Sequence, residues 1–235
     1  MASDAPNPVV LTPATPSELL ELIIAHHRYP TTILVCWSKP TFVEALVADI
    51  RQQLGIRRDG TAAAPPNSSS VRHPLQRKSL LQTAVSRHIR LLFVPSRSHL
   101  RAYLGTFSAS DSSIPPPPSP PPDPDDDPDP RYRAGTPPML LVYGLLELHR
   151  DSADWSAQGI GTTAAYLVEA AARNAFRAAL VEPRGAMGYE TQGEFLDEIV
   201  PVLSGAAMKD DGTWSGPTVS IQRVLSRWFE FEGLE

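Results

Sequence analysis

The chain predicts an α/β fold: a mostly parallel sheet flanked by helices and interrupted by one disordered insertion. Three observations carry this. Thr31–Trp37, Ile89–Val94, Leu140–Tyr143 and Ala178–Val181 are short apolar runs, the composition of strands buried on both faces. Helical stretches follow the first three, and strand, loop and helix returning to another strand make a right-handed crossover unit of a parallel sheet. Residues 108–138 hold twelve of the chain's 25 prolines together with a run of Asp. Such a segment buries too little apolar area to offset its ordering entropy, which predicts a disordered Pro/Asp-rich insertion.

At 235 residues the chain suits one such domain with insertions. Residues 1–16 are Pro- and Ala-rich and predict a flexible N-terminus. The first part of the domain, 17–107, opens with a helix that Ser17 caps, running through Ala25 with Leu19, Leu22 and Ile23 on one face. After the Thr31–Trp37 strand, Pro40 fits a first helical turn, and Phe42, Val43, Leu46, Val47, Ile50 and Leu54 supply a stripe. Residues 55–78 form a basic loop, Leu80–Arg87 a short helix, Ile89–Val94 a strand and Ser98–Phe107 a helix. The second part, 139–235, begins with the strand ending at Tyr143, which leads to Leu148-His149-Arg150, then a polar loop and a long Ala-rich helix. A strand through Val181 and a loop, Glu182–Gly193, come next. The segment through Leu203 fits helix or strand, Lys209–Pro217 is a polar turn, and the alternation within Thr218–Phe231 predicts two closing antiparallel strands.

The formal charge of −5 averages two opposed segments. From Arg51 to Arg101 ten Arg/Lys face one acid, Asp59, whereas Asp111 to Asp129 holds six Asp and no base. The basic segment suits a polyanion, and the acidic one can compete for the same surface. The single cysteine, Cys36, sits in an apolar run as a buried thiol and excludes an intrachain disulfide framework or a cysteine zinc cluster. No basic start with a long apolar stretch predicts secretion, and no apolar run approaches the roughly 20 residues that span a bilayer. A soluble intracellular protein with no membrane partner is expected.

Catalytic patterns are missing. A phosphate-binding turn needs several glycines, a Lys and a hydroxyl. Where a strand meets a helix after Val35, the chain reads Cys36-Trp37-Ser38-Lys39-Pro40-Thr41-Phe42, with no glycine and with a proline that removes a donor. His26 and His27 are adjacent and diverge on a helix, and no histidine pair has i, i+4 ligand spacing beside an acid. Ser38 lacks the flanking glycines of a nucleophile elbow. No catalytic residue, metal or cofactor follows, and the expected class is non-enzymatic.

The order and spacing of Met139–Pro183 resemble the middle of the RecA-type recombinase core. That family ends the strand in a metal-organising Asp, follows it with an Arg, and then carries the first DNA-facing loop. Here Tyr143 takes the position of the Asp while Arg150 stays in place, and Arg150–Gly159 resembles the segment entering that loop. Glu182-Pro183-Arg184-Gly185 falls where the second loop begins, and Gly216–Ser220 with Leu225–Phe229 is similar to the family's closing turn and strand. The likeness covers most of the folded chain.

The resemblance implies a RecA-like fold that has lost its ATPase chemistry, as in the eukaryotic recombination mediators of Shu-complex type. It implies a nuclear subunit assisting homologous recombination on single-stranded DNA. Its partners would be another recombinase paralogue or a SWIM-type zinc-finger protein, and the recombinase filament. DNA would meet Arg57, Arg58, Arg72, Arg77, Lys78, Arg150 and Arg184, with Trp155 as a base-stacking or partner-anchoring aromatic. The same losses fit an alternative, a RecA-like subunit of an Elongator-type transfer-RNA modification complex. The Arg- and Ala-rich, Lys-poor composition points to a filamentous fungus.

Overall fold

A computed structural model describes residues 6–26, 30–53, 83, 86–112, 138–150, 152–185, 189–205, 208–209, 212 and 214–232. In chain order the elements are β1 (Val9–Val10), α1 (Pro16–His26), β2 (Thr31–Val35), α2 (Lys39–Gln53), β3 (Ile89–Phe93) and α3 (Arg97–Thr106). After a 3-10 turn at Ala109–Ser112 come β4 (Met139–Tyr143), α4 (Leu145–Arg150), α5 (Ala157–Arg173), β5 (Arg177–Val181) and α6 (Gln192–Asp197). The chain closes with β6 (Ile199–Pro201), β7 (Thr218–Ser220), α7 (Ile221–Leu225) and β8 (Glu230–Phe231).

The main sheet has six strands in the order β3-β2-β4-β5-β1-β8, and every pairing is parallel. Thr31 stands beside Ile89 on one side and Met139 on the other, and Met139 stands beside Arg177, so the central strands start level. The apolar runs follow from burial on both faces. Ile33, Val35, Leu141, Tyr143 and Val181 pack with Leu19 and Ile23 of α1 and Phe42 of α2. Leu34, Leu140, Val142 and Leu180 pack on the other face with Leu100 and Leu104 of α3, Ile160 and Leu167 of α5, and Phe195 of α6. The α/β architecture is therefore three-layered, with two cores separated by the sheet.

Helix α5 is the longest support of the second face. Ser156 caps it by accepting the Gly159 N–H at 3.0 Å, and Ile160, Thr163, Ala164, Leu167, Ala170 and Ala171 form its buried stripe. Gly159 is required here, because a Cβ at that position would lie 2.2 Å from the Asp154 carbonyl oxygen. The helix packs so closely on the preceding loop that only hydrogen fits.

Several expectations need correction. The predicted flexible N-terminus holds β1: Val9 and Val10 are 1% and 0% exposed and pair with both β5 and β8. The expected polar loop does follow Arg150, and the stretch between Tyr143 and that loop, to which no element was assigned, forms α4 because Leu145 and Leu146 turn into the second core. The segment before Leu203 is both helix and strand, α6 followed by β6. Thr218–Phe231 does not form two antiparallel strands. Only β7 pairs antiparallel, with β6, while β8 adds parallel to β1. Between them Ile221, Val224 and Leu225 satisfy helical spacing, and Ser220 caps that turn. Along α2 only Phe42 is fully buried, and Val43 and Val47 of the expected stripe are exposed.

The 55–78 loop lies outside the described residues, as does most of the predicted Leu80–Arg87 helix, of which Thr83 and Ser86 are helical. Of the 108–138 insertion, Ala109–Ser112 forms the 3-10 turn, and residues 113–137 also lie outside the description.

Candidate functional site at the carboxyl edge of the sheet

All six strands point the same way, so their carboxyl ends share one edge. Ligands of open α/β sheets bind there, where successive connections leave for opposite faces. Two such points exist. Between β2 and β4, the chain leaves toward α2 on one face and α4 on the other; between β1 and β5, toward α1 and α6. The expected strand–helix junction after Val35 is thus one of two, the second having been hidden in the N-terminal segment.

Both points are filled by the protein itself. At the first, Tyr143 is fully buried, and Trp37 meets it edge-on with ring centroids 5.5 Å apart. The Trp37 indole N–H donates to the Glu147 carboxylate. Phe42 closes on Tyr143 from α2 with centroids 6.0 Å apart. Gly144 turns the chain at φ 81°, with the Pro183 ring and Trp37 indole beside the place a Cβ would take. At the second point, the Tyr143 hydroxyl donates to the Ala14 carbonyl at 2.9 Å. The Ala14 N–H donates to the Glu182 carbonyl, and the Arg184 N–H returns to the Ala14 carbonyl, each at 3.1 Å. The turn Leu11-Thr12-Pro13-Ala14-Thr15 has no glycine, and its backbone at Ala14 is already engaged. A phosphate cradle needs free N–H groups converging on an open space; at the first turn Trp37 and Phe42 pack against Tyr143, and at the second the Ala14 N–H is already engaged.

Glu182 is the chemically unusual group at this edge. Its side chain is fully buried, and one carboxyl oxygen accepts the Leu146 N–H at 3.0 Å while the other has no hydrogen-bond partner among the described residues. Burial raises its pKa from 4.5 to about 8, with nearby Glu147 adding to the shift and the Leu146 N–H opposing it. Burial likewise pushes the neighbouring Cys36 thiol well above its usual range, so it stays protonated. From sequence Glu182 stood at the start of a loop, where by resemblance it or Pro183 would replace a recombinase's Gln-type sensor; its burial follows from β5 lying between β4 and β1.

The predicted DNA-facing residues fall into two groups. Arg150 forms a bidentate pair with Glu198 at 2.6 and 2.8 Å, donates to the Tyr189 hydroxyl, and covers the Trp155 ring at 4.8 Å. Arg184 pairs with Glu18 of α1. Both are partly exposed, and each already has a carboxylate partner. Trp155 is corrected: at 8% exposed it belongs to the second core beneath the Arg150 guanidinium and presents no free face for stacking. Arg57, Arg58, Arg72, Arg77 and Lys78 lie outside the described residues.

A polar cluster not foreseen from sequence fixes the loop before α5. Arg97 and Arg101 converge on the Asp154 carboxylate at 2.6 and 3.3 Å. Beneath them the buried His149 donates through Nδ1 to the Asp154 carbonyl at 3.2 Å and faces the Thr163 hydroxyl through Nε2 at 3.0 Å. Burial lowers the His149 pKa to about 4, which keeps the ring neutral. These groups are bound to one another and act as a brace.

Among the described residues no group of three His, Cys, Asp or Glu side chains is arranged to hold a metal ion, and no helix is long and apolar enough to cross a membrane. Comparison with protein-family profiles, with curated proteins and with solved structures returns no match. The geometry and the sequence resemblance therefore carry the functional reading.

Proposed function

We propose that the protein is a non-catalytic, RecA-like recombinase paralogue, a nuclear subunit that assists homologous recombination by binding single-stranded DNA and a partner protein. The observation that carries this reading is the closed carboxyl edge: Tyr143 stands at the acidic position of the recombinase strand, and its hydroxyl is seated on the Ala14 carbonyl. An all-parallel sheet supports the same reading. On this reading the protein acts through its surfaces. Arg150 and Arg184 each spend their charge on Glu198 and Glu18, so DNA attraction rests chiefly on Arg57, Arg58, Arg72, Arg77 and Lys78. Contacts from Arg and Lys to phosphate are sequence-independent and salt-sensitive, which suits breaks of arbitrary sequence. The partner is another recombinase paralogue or a SWIM-type zinc-finger protein.

The test joins copurification to DNA binding. Cells expressing the tagged protein should yield a recombinase paralogue or zinc-finger partner by mass spectrometry. The protein or that complex should bind single-stranded DNA with an affinity that falls steeply with salt. Replacing Arg57, Arg58, Arg77 and Lys78 by Ala should weaken binding equally for all sequences and flatten the salt slope, because fewer counterions are displaced. Recovery of Elongator-type subunits, or unaltered binding in the quadruple variant, would overturn the reading.

A further inference from the structure

An open groove of about 580 Å³ lies where the start of α5 meets the β6–β7 pair and α7. Val202, Leu203, Val219 and Val224 give it an aliphatic lining, and Leu203 is 62% exposed, unusual for a leucine. Arg223 and Arg227 also line it, both exposed, and no carboxylate does. Elsewhere Arg97, Arg101, Arg150, Arg177 and Arg184 each meet an acid, whereas these two form no ion pair among the described residues. Their charge is available to a ligand.

Gly161 on α5 points the same way. Packing requires Gly159, two residues earlier, but it does not require Gly161. A Cβ there would meet only the Val224 side chain, at 3.8 Å, an ordinary van der Waals distance. Glycine weakens a helix interior relative to alanine, so the fold gains nothing from it. Its effect is to leave the α5 wall of the groove without a side chain.

We propose that this groove docks a short acidic, aliphatic segment of a partner protein. Leu, Ile or Val side chains of that segment would pack on Val202, Leu203, Val219 and Val224, with its Asp or Glu carboxylates on Arg223 and Arg227. Charge complementarity selects the occupant, because guanidinium forks match carboxylates and the lining supplies no competing acid. A nucleic acid fits less well, since the lining offers a base no aromatic ring to stack on. The inference deepens the partner-binding half of the proposed function and rests on it for the occupant being a protein.

Peptide titration of the full-length chain, carbon-13-labelled at its Leu and Val methyl groups, tests it. The probes are pools of synthetic peptides of about ten residues: acidic with aliphatic, acidic with polar, basic with aliphatic, and uncharged polar. The acidic aliphatic pool should shift the methyl signals of Val202, Leu203, Val219 and Val224 and bind at least about tenfold more tightly than the others. Arg223→Ala with Arg227→Ala should erase the preference for acid, and Leu203→Ser should weaken the preference for aliphatic side chains. Gly161→Leu fills the groove from α5 and should abolish binding without lowering the melting temperature, because leucine is the better helix former.

Equal affinity for all pools, a preference for acid untouched by removing the arginines, or shifts confined to other surfaces would overturn the proposal. A stronger response to oligothymidine than to the peptides would assign the groove to nucleic acid. Shifts that grow with protein concentration alone would assign it to a second copy, and either result overturns the proposal equally. A copurifying partner that is retained by the Gly161→Leu variant would overturn the groove while leaving the proposed function standing.

Discussion

The carboxyl edge of the sheet and the groove beside α5 differ in how they treat space. At the edge, where parallel α/β folds gather ligands, Trp37, Phe42 and Tyr143 interlock and leave the backbone at Ala14 and Leu146 already engaged. At the groove, Leu203 stands in solvent, and Arg223 and Arg227 find no carboxylate among the described residues. A site for chemistry needs an enclosed space with converging donors, whereas a site for association needs exposed apolar surface and unspent charge. Under the proposed function, the carboxyl edge is the closed site and the groove beside α5 is the one left open for association.

The largest test of this contrast is to empty the edge. Tyr143→Ala removes a fully buried ring and its hydrogen bond to Ala14, and should destabilise the fold by about 3–5 kcal/mol, read as a lowered urea midpoint at unchanged slope. A loss below about 1 kcal/mol would mean that the edge is loosely filled.

Next in size is the pH dependence set by Glu182. Its folded pKa of about 8 lies above its ordinary 4.5, so between those values the folded chain keeps a proton that the unfolded chain has released. The stability this provides is fully present below pH 4.5 and is lost as pH rises to about 8, by up to about 1.4 kcal/mol per pH unit. Glu182→Gln keeps an acceptor for the Leu146 N–H and cannot ionise. Its urea midpoint should therefore fall less between pH 5 and pH 8 than that of the wild type. His149 acts at the other end. With its pKa lowered to about 4, its contribution is present above 6.5 and lost as pH falls toward 4, and this acid limb should persist in the Gln variant. Parallel profiles for the two proteins above pH 5 would show that Glu182 is ionised in the fold.

The smallest effect belongs to the groove. Leu203→Ser alters a residue 62% exposed and should change stability by no more than about 0.5 kcal/mol, while weakening whatever the groove binds. A loss comparable with that at Tyr143 would make Leu203 part of the core and remove the contrast.

The sequence carried the central strands clearly, because burial on both faces leaves apolar runs such as Leu140–Val142 with no alternation to misread. Helix α5 was equally legible from its Ala-rich composition. Strand β1 was not: two valines in a Pro-rich stretch carry no periodic signal, and their place is set by β5 and β8, far along the chain. Ile221–Leu225 satisfied helical spacing while sitting inside an alternating run, and the Ser220 cap decided in favour of helix. At the edge, the resemblance set Tyr143 where a RecA-type core carries an acid. The sequence held no trace of the hydroxyl's seat on Ala14, 129 residues away, or of the burial of Glu182. Trp155 looked available because nothing local revealed the Arg150–Glu198 pair that covers it.

Nucleotide binding is the sharpest probe of a filled carboxyl edge. The purified chain is melted with and without millimolar ATP and magnesium, and titrated by calorimetry under the same conditions. A ligand that binds only the folded state at a hundredfold excess over its dissociation constant adds about 2.7 kcal/mol, enough to move the melting temperature by several degrees. With Trp37, Tyr143 and the Ala14 turn occupying the carboxyl edge, the melting temperature should stay unshifted and no binding heat should appear. A rise of several degrees with a saturable calorimetric signal would contradict it.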